Sequence, residues 1–556
     1  MVDNSLPQWN PEEFIVKTNE LESIIYEQDS LSILAGPGAG KTEMLAQKTI
    51  YLLEHDICPW PKKILFLTFK NEASKNVKDR VLKRSPEAND RFLSKTYHSF
   101  AKSIVDRFRL SLDENIRPNA GYDVIFKGKS DKNKVHISDV IKYASAIIKN
   151  NGKIPILYQE CFTHIFLDEF QDTTLQQYEL ISLLFLNSQV KIICVGDLNQ
   201  SIMLFAQAYP EIYRLVETDF KPKRKLLISN FRAGVKIKEF LSHFQPFVEK
   251  GVFNQITPHK NNNCTIHHFN DDINESEFIT DYVLNKIASG FSPEDICILT
   301  RQKSSNYSAK LCDRLNNKGI SNIVYDTFQD AIADPLGIIF SLILECALIK
   351  SPKAWSELLN LYIELNIIDE NNDSDNNKLI TFIDYFSTTK KATAFNDYKN
   401  VLDFITNIID HIGLNLIKSK WPQHKSVEHT KYIWTELAKQ LHKIYSNNID
   451  RETIVMNFCG KQSLKIMNIH KCKGLEYKAV ILIGFEDEAF WNYSDDNFEE
   501  RCVLYVAFTR AKEEILITQS DYRDFISGGR KKTSQEITSK LRDNLIDKCG
   551  FILHLH

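Results

Sequence analysis

The chain has 556 residues, is 43% hydrophobic and 25% charged, and carries a formal net charge of -3. That length allows several domains with large cores, and the balanced charge excludes a global basic field, so a nucleic-acid partner has to be held in a local groove. Eleven scattered cysteines, no two spaced C-x-x-C, argue against a disulfide scaffold, a zinc finger or an iron–sulfur cluster and read as small core residues of a cytoplasmic protein.

The N-terminal stretch MVDNSLPQWNPEE is acidic and lacks the apolar run of a signal peptide. The first predicted strand, LSILAG (31–36), runs directly into AGPGAGKT (35–42). This is a phosphate-binding loop with Ala35 in place of the first glycine. Gly36, Gly38, Ala39 and Gly40 let successive backbone N–H groups face a phosphate, and the following helix start adds partial positive charge. Lys41 reaches the β and γ phosphates of ATP, and Thr42 offers a hydroxyl to Mg²⁺. A second strand, ILFLTF (64–69), leads into KNEASKNVKDRV, whose Lys70, Lys75, Lys78 and Arg80 read as a solvated helix face or as phosphate contacts. Residues 104–158 then form a short, mainly helical insert bearing lysine and arginine.

A third strand, HIFLDE (164–169), delivers two adjacent carboxylates at its end. With a phosphate loop upstream, Asp168 is expected to hold Mg²⁺ and Glu169 to polarise the attacking water. KIICVGD (191–197) completes the first α/β layer. A second layer is expected from KLLISN (225–230), DICILTR (295–301), LKIMNIH (464–470) and KAVILIG (478–484). TPHKNNN (257–263) and DENNDSDNNK (369–378) read as loops. Helical periodicity marks AWSELLNLYIEL and YIWTELAKQLHKIY inside an insert at 336–460. LGIIFSLILECALI (336–349) is too short to span a bilayer and contains Glu345, so it reads as a buried helix and no membrane partner is expected.

DEFQDTT and VGDLNQSI resemble motifs II and III of superfamily 1 helicases of the UvrD/Rep type. The other motifs follow in that family's order: ILFLTFKNEASKNVKDRV (64–81), KTYHSFAKSIV (95–105), LLISNFRA (226–233), IMNIHKCKGLEYKAVILIGF (466–485) and LYVAFTRAKEEILI (504–517). The resemblance covers residues about 30–235 and 295–520. It implies an α/β fold of two RecA-like P-loop domains with parallel sheets, each interrupted by a helical insert. The expected boundaries are 1–103 and 159–222 for the ATP-binding domain with insert 104–158, and 223–335 and 461–556 for the second domain with insert 336–460.

By resemblance, Gln171 and Gln200 lie near the γ-phosphate, and the second domain supplies Arg232 and Arg510 as arginine fingers. Phe231 matches an adenine-stacking aromatic and Glu476 a nucleotide-side acid. Phe69, Thr96, His98, Phe205 and His470 match a single-strand track, which needs aromatic faces for bases and polar groups for phosphates. The implied activity is ATP-driven 3′-to-5′ movement on single-stranded DNA with unwinding of tailed duplex, in repair or anti-phage defence. The sequence departs from the family in QSIMLFAQA, where Met203 replaces the stacking tyrosine and Ala206 the coupling arginine. Glu20 lies near the place of the adenine-reading glutamine. The small inserts and the chain's end soon after the last motif leave no room for a fused nuclease. A compact chain of this kind also resembles the helicase-like subunits of Gabija-type defence systems, which implies a separate nuclease partner. The alternative activity is a DNA-end- and nucleotide-sensing subunit that activates such a nuclease with little unwinding of its own.

Overall fold

The structure, a computed structural model, describes residues 7–12, 15–69, 71–125, 128–203, 207–253, 258–325, 327–368, 373–445, 450–525 and 529–556. Two compact units divide the chain. The first comprises Met1–His259, Asn492–Glu513 and Lys548–Gly550, and the second Lys260–Trp491, Glu514–Asp547 and Phe551–His556.

In the first unit the strands are β1 (Leu31–Ala35), β2 (Lys63–Thr68), β3 (Phe92–Thr96), β4 (Asp123–Ile125), β5 (Lys134–His136), β6 (Phe162–Leu167), β7 (Lys191–Gly196) and β8 (Lys223–Leu227). Six of them form a parallel sheet in the order β3-β2-β6-β7-β1-β8. The inner strands are continuous apolar runs because helices cover both sheet faces. The phosphate-loop helix, Lys41–Glu54, packs on one face, where Leu45 and Leu52 join Phe66, Phe166 and Ile193. On the other face, Phe100, Ile104, Ile141 and Ala144 share a core with Leu65, Leu67 and Ile165.

Residues 104–158 supply part of that second face. The helices Tyr97–Phe108 and Ile137–Asn150 bury their apolar sides on the sheet, and between them β4 and β5 form a two-stranded parallel ladder. The stretch 223–227 also changes place. It pairs with β1, Leu31 opposite Lys223, and so belongs to the first sheet rather than to a second layer. Its sequence KRKLL is mostly exposed, as an edge strand is. Helix Val235–Lys250 and helix Phe498–Phe508 stay with this unit. Phe240 and Phe244 pack on Phe508 with ring centroids 5.4 and 5.3 Å apart.

The second unit holds β9 (Cys264–Asp271), β10 (Ile296–Thr300), β11 (Asn322–Tyr325), β12 (Leu464–Asn468), β13 (Tyr477–Leu482), β14 (Ala511–Phe525, from Glu514 onward), β15 (Gly529–Lys532) and β16 (Ile552–Leu555). Their order is β11-β12-β10-β13-β14-β9-β16, with β15 antiparallel on β14. Helices occupy most of residues 327–459. The expected buried helix is Pro335–Leu348, begun by the cap Asp334, whose carboxylate accepts the Leu336 N–H. Its Glu345 is reached by Lys461 Nζ at 2.6 Å. The tract 369–378 is a loop only in part. Helix Asp373–Ala392 starts inside it, and 369–372 lie outside the described residues. Of the cysteines, Cys161 is exposed and Cys459 half-buried, so not all are core residues. Among the described residues no helix is long and apolar enough to cross a membrane.

Candidate functional site

The site grows from the carboxyl ends of the parallel strands in the first unit. β1 and β6 lie on either side of β7, so the phosphate loop, the two acids and the segment after β7 open on one edge. The loop needs its glycines. Gly38 and Gly40 have φ of 69° and 78°, in the left-handed region. A Cβ on Gly38 would lie 2.5 Å from Asn230 Oδ1 and 2.6 Å from Arg232 Cβ. Only a glycine admits the segment after β8 at that distance.

That segment clasps the loop. The Phe231 N–H donates to the Gly38 carbonyl at 3.0 Å, and Asn230 Oδ1 accepts the N–H groups of Arg232 and Ala233. Phe231 is left 53% exposed, which suits a stacking face better than a core residue. Ser229 Oγ donates to Glu20 Oε2 at 3.5 Å, so the acid standing where an adenine-reading amide was expected sits beside this segment. The helix bearing Glu20, Asn19–Ile25, is tied to the phosphate-loop helix by Lys48. The Lys48 Nζ donates to the carbonyls of Ile24, Ile25 and Glu27 at 2.9, 3.2 and 2.8 Å. Burial lowers the pKa of this lysine to about 7.

At the end of β6, Asp168 is buried and its Oδ1 accepts the Glu169 N–H at 3.0 Å. Glu169 takes φ 48°, which turns its side chain back toward the loop. Its Oε2 lies 3.9 Å from Lys41 Nζ. Gln171 Nε2 donates to the same oxygen at 2.6 Å, while Gln171 Oε1 accepts the Asp197 N–H at 3.1 Å. Asp197 Oδ2 in turn accepts from Gln200 Nε2 at 2.7 Å, and Gln200 Oε1 accepts from Arg510 Nη2 at 3.1 Å. A hydrogen-bonded chain, buried from Gln171 onward, therefore runs from Glu169 to Arg510. Burial pushes the Asp197 carboxyl up while the Lys41 charge pulls it down. Arg232 Nη1 donates to the Thr509 carbonyl at 3.3 Å. Both arginines, expected from a second domain, fall in the first compact unit. They do so because the segments after β8 and at 492–513 pack within it.

Lys41 and Thr42, at the start of a helix, lie on the strand edge that also carries Asp168. Backbone donors, one ammonium, a hydroxyl and a carboxylate are the donor set that a triphosphate with a hard divalent cation requires.

The strand-track candidates divide. β2 and β3 are paired with Thr68 opposite Thr96, so Phe69, one residue on, Thr96 and His98 share the same strand edge. Phe69 and His98 are half-buried, and burial lowers the His98 pKa, keeping the imidazole neutral. Thr96 also caps its helix by accepting the Ser99 N–H. Phe205, Ala206 and Lys70 lie outside the described residues. Arg80 pairs with Glu43 of the phosphate-loop helix at 2.7 Å. His470 and Glu476 belong to the second unit, His470 half-buried on the turn after β12 and Glu476 exposed.

The reading from sequence missed Asp197 and Asn230. Asp197 carries the signal used for Asp168, an acid directly after an apolar strand. Asn230 carries only the weak signal of an amide two residues before an arginine.

The UvrD/REP helicase N-terminal domain matches residues 16–119 and 111–221, and the UvrD-like helicase C-terminal domain matches 355–522. The chain belongs to the UvrD-like helicases of superfamily 1. It is thereby an ATP-hydrolysing DNA helicase. This UvrD-like chain is similar to the ATP-dependent DNA helicase Rep of Buchnera aphidicola subsp. Schizaphis graminum, 25% identical across 88% of the chain and 91% of the relative. It is similar to the ATP-dependent DNA helicase PcrA of Staphylococcus aureus strain Mu50, 24% identical across 96% and 87%. A probable DNA helicase II homolog of Mycoplasma capricolum is 22% identical across 91% and 85%.

Proposed function

We propose that the chain is a 3′-to-5′ translocase that couples ATP hydrolysis on the first unit to movement along single-stranded DNA and to opening of tailed duplex. The observation that carries this reading is the chain Glu169–Gln171–Asp197–Gln200–Arg510. It links a base beside Lys41 to an arginine through the segment after β7, so a change at one end is felt at the other. In this reading Lys41 and the loop amides bind the β and γ phosphates. Glu169 orients and polarises the attacking water, and Gln171 holds Glu169 in place. Arg232 and Arg510 offset charge that develops on the transferring phosphoryl group. Thr42 and Asp168 would hold Mg²⁺, which supplies charge neutralisation when bound. Phe231 stacks on the base of the nucleotide. Phe69, Thr96 and His98 meet the strand; the family's motifs assign Phe205 and His470 to the same task and Glu476 to the nucleotide. The enzyme works in the cytoplasm, where its DNA substrate lies.

Strand displacement on duplexes with a 3′ or a 5′ single-stranded tail tests the direction. Displacement of the 3′-tailed substrate alone is expected, and equal or reversed preference overturns the polarity. The second reading, a sensing subunit that licenses a separate nuclease in anti-phage defence or repair, is favoured by Met203 and Ala206 in QSIMLFAQA. It predicts nucleotide and DNA-end binding with no displacement by the isolated chain.

A further inference from the structure

In the helical part of the second unit, three side chains from separate elements converge. Asp334 caps helix Pro335–Leu348, His424 lies in the turn Pro422–Lys425, and His429 lies in the first turn of helix Val427–Tyr445. Among the described residues they are the group whose ligating atoms all lie within 4.8 Å of one another. His424 Nε2 is 2.8 Å from Asp334 Oδ1, and His429 Nε2 is 3.1 Å from Asp334 Oδ2.

The environment of His424 says what belongs between them. Its side chain is 1% exposed, and its Nε2 faces Asp334 Oδ1 at 2.8 Å at an angle outside good hydrogen-bond geometry. The other ring nitrogen, Nδ1, faces Thr430 Oγ1 at 3.4 Å. The Thr430 hydroxyl donates its proton to the His424 carbonyl at 3.0 Å, so toward Nδ1 it can only accept. If Nδ1 donates to Thr430, Nε2 turns a lone pair toward the carboxylate, and a cation between the two, a metal ion or a proton, satisfies both.

We propose that Asp334, His424 and His429 form a binding site for one divalent transition-metal ion of the Zn²⁺ class. Two imidazoles and one carboxylate are the donors such ions prefer over Mg²⁺ or Ca²⁺, and three protein ligands leave a fourth position for water. Tetrahedral bonds of about 2.0 Å set the ligating atoms roughly 3.3 Å apart. The observed 2.8 and 3.1 Å, to the two oxygens of one carboxylate, lie a few tenths of an ångström below this, and all three ligating atoms fall within 4.8 Å of one another. The outer contacts are already made. Leu336 N–H holds the carboxylate and Thr430 holds the His424 ring, as partners behind metal ligands do. The ion would pin the start of helix Pro335–Leu348 to the turn and helix some ninety residues later. The two helices also meet through Phe340 and Trp434, 5.5 Å apart. The site is independent of the ATP-site residues, so its failure leaves the helicase reading intact.

The test uses the full chain, stripped with chelator and dialysed against Zn²⁺, with bound metal measured by mass spectrometry and melting followed by circular dichroism. Co²⁺ absorption reports the ligand geometry. One equivalent is expected, with a melting temperature raised by the metal. Asp334→Asn keeps a capping side chain, and His429→Gln changes a ligand that is less buried than His424. Both should weaken Zn²⁺ binding at least tenfold and remove the thermal shift. No uptake at micromolar Zn²⁺, or equal uptake by wild type and both variants, overturns the site. The first outcome would leave a hydrogen-bonded cluster only. The second would move the ion elsewhere, for example to Cys161 or to His267 and His556.

Discussion

At the scale of the residue, Glu169 stands between a lysine and an amide, and its backbone sits in a left-handed conformation that costs a non-glycine residue about 1 kcal/mol. In the proposed reading this carboxylate serves the attacking water. Glu169→Gln keeps the shape and removes the base. Its kcat for ATP should fall about 10²- to 10⁴-fold while nucleotide affinity changes little. Steady-state hydrolysis beside equilibrium binding of a fluorescent ATP analogue checks this, and a variant that keeps its kcat removes Glu169 from the reaction. The positions of Lys41, Thr42, Asp168 and Glu169 were legible in the sequence because each stands directly after a glycine loop or an apolar strand. Asp197 was legible only in part. Its position after an apolar strand was visible, but its role depends on Gln171 reaching across from another strand.

At the scale of the element, β6 carries a buried histidine just before the acids. Burial lowers the His164 pKa to about 3, with Lys48 and Lys191 adding to the effect, and its Nδ1 lies 2.9 Å from Thr163 Oγ1. The folded chain therefore keeps this ring neutral. Above about pH 6.5 the unfolded chain is neutral there too, and the group creates no difference. As pH falls below 6.5 the unfolded chain takes up a proton that the folded one refuses, so stability is lost progressively down to about pH 3. Between pH 7.5 and 5.5 this amounts to about 1 kcal/mol. Urea unfolding of wild type and His164→Gln at both pH values should show the smaller drop in the variant, and equal drops would contradict it. Element types were legible wherever periodicity was long, as in helix Val427–Tyr445. Element placement was not. KRKLL pairs with β1 rather than opening a second layer, and nothing local in an edge strand names its neighbour. Asp373 to Lys378 read as loop from polarity alone, yet they form the first turns of a helix whose Phe382 is buried further on.

At the scale of the whole molecule, two units each build a mostly parallel sheet, and each fixes its parts with buried polar groups. In the second unit Arg523 of β14 meets Glu275 of helix Asp272–Ala288 at 2.8 Å and Glu486, after β13, at 2.7 Å. All three are buried, and burial pushes the Glu486 carboxyl up while Arg523 pulls it down. Arg523→Ala would leave two carboxylates buried without their cation, and the unit should lose about 3–5 kcal/mol. Denaturant unfolding reads this directly, and a loss under 1 kcal/mol would show the cluster to be incidental. The two-sheet architecture was legible because eight motifs recur in one order. The boundary was not, since residues 223–259 and 492–513 join the first unit through packing between helices far apart in sequence.

The central claim is that the chain from Glu169 to Arg510 belongs to a DNA-driven ATPase. ATP hydrolysis by the purified chain, with and without single-stranded DNA and beside Lys41→Ala, tests it most directly. Low basal turnover, stimulation of at least tenfold by the strand, and loss of both in the variant are expected. Turnover that ignores DNA, or that survives in Lys41→Ala, would contradict it.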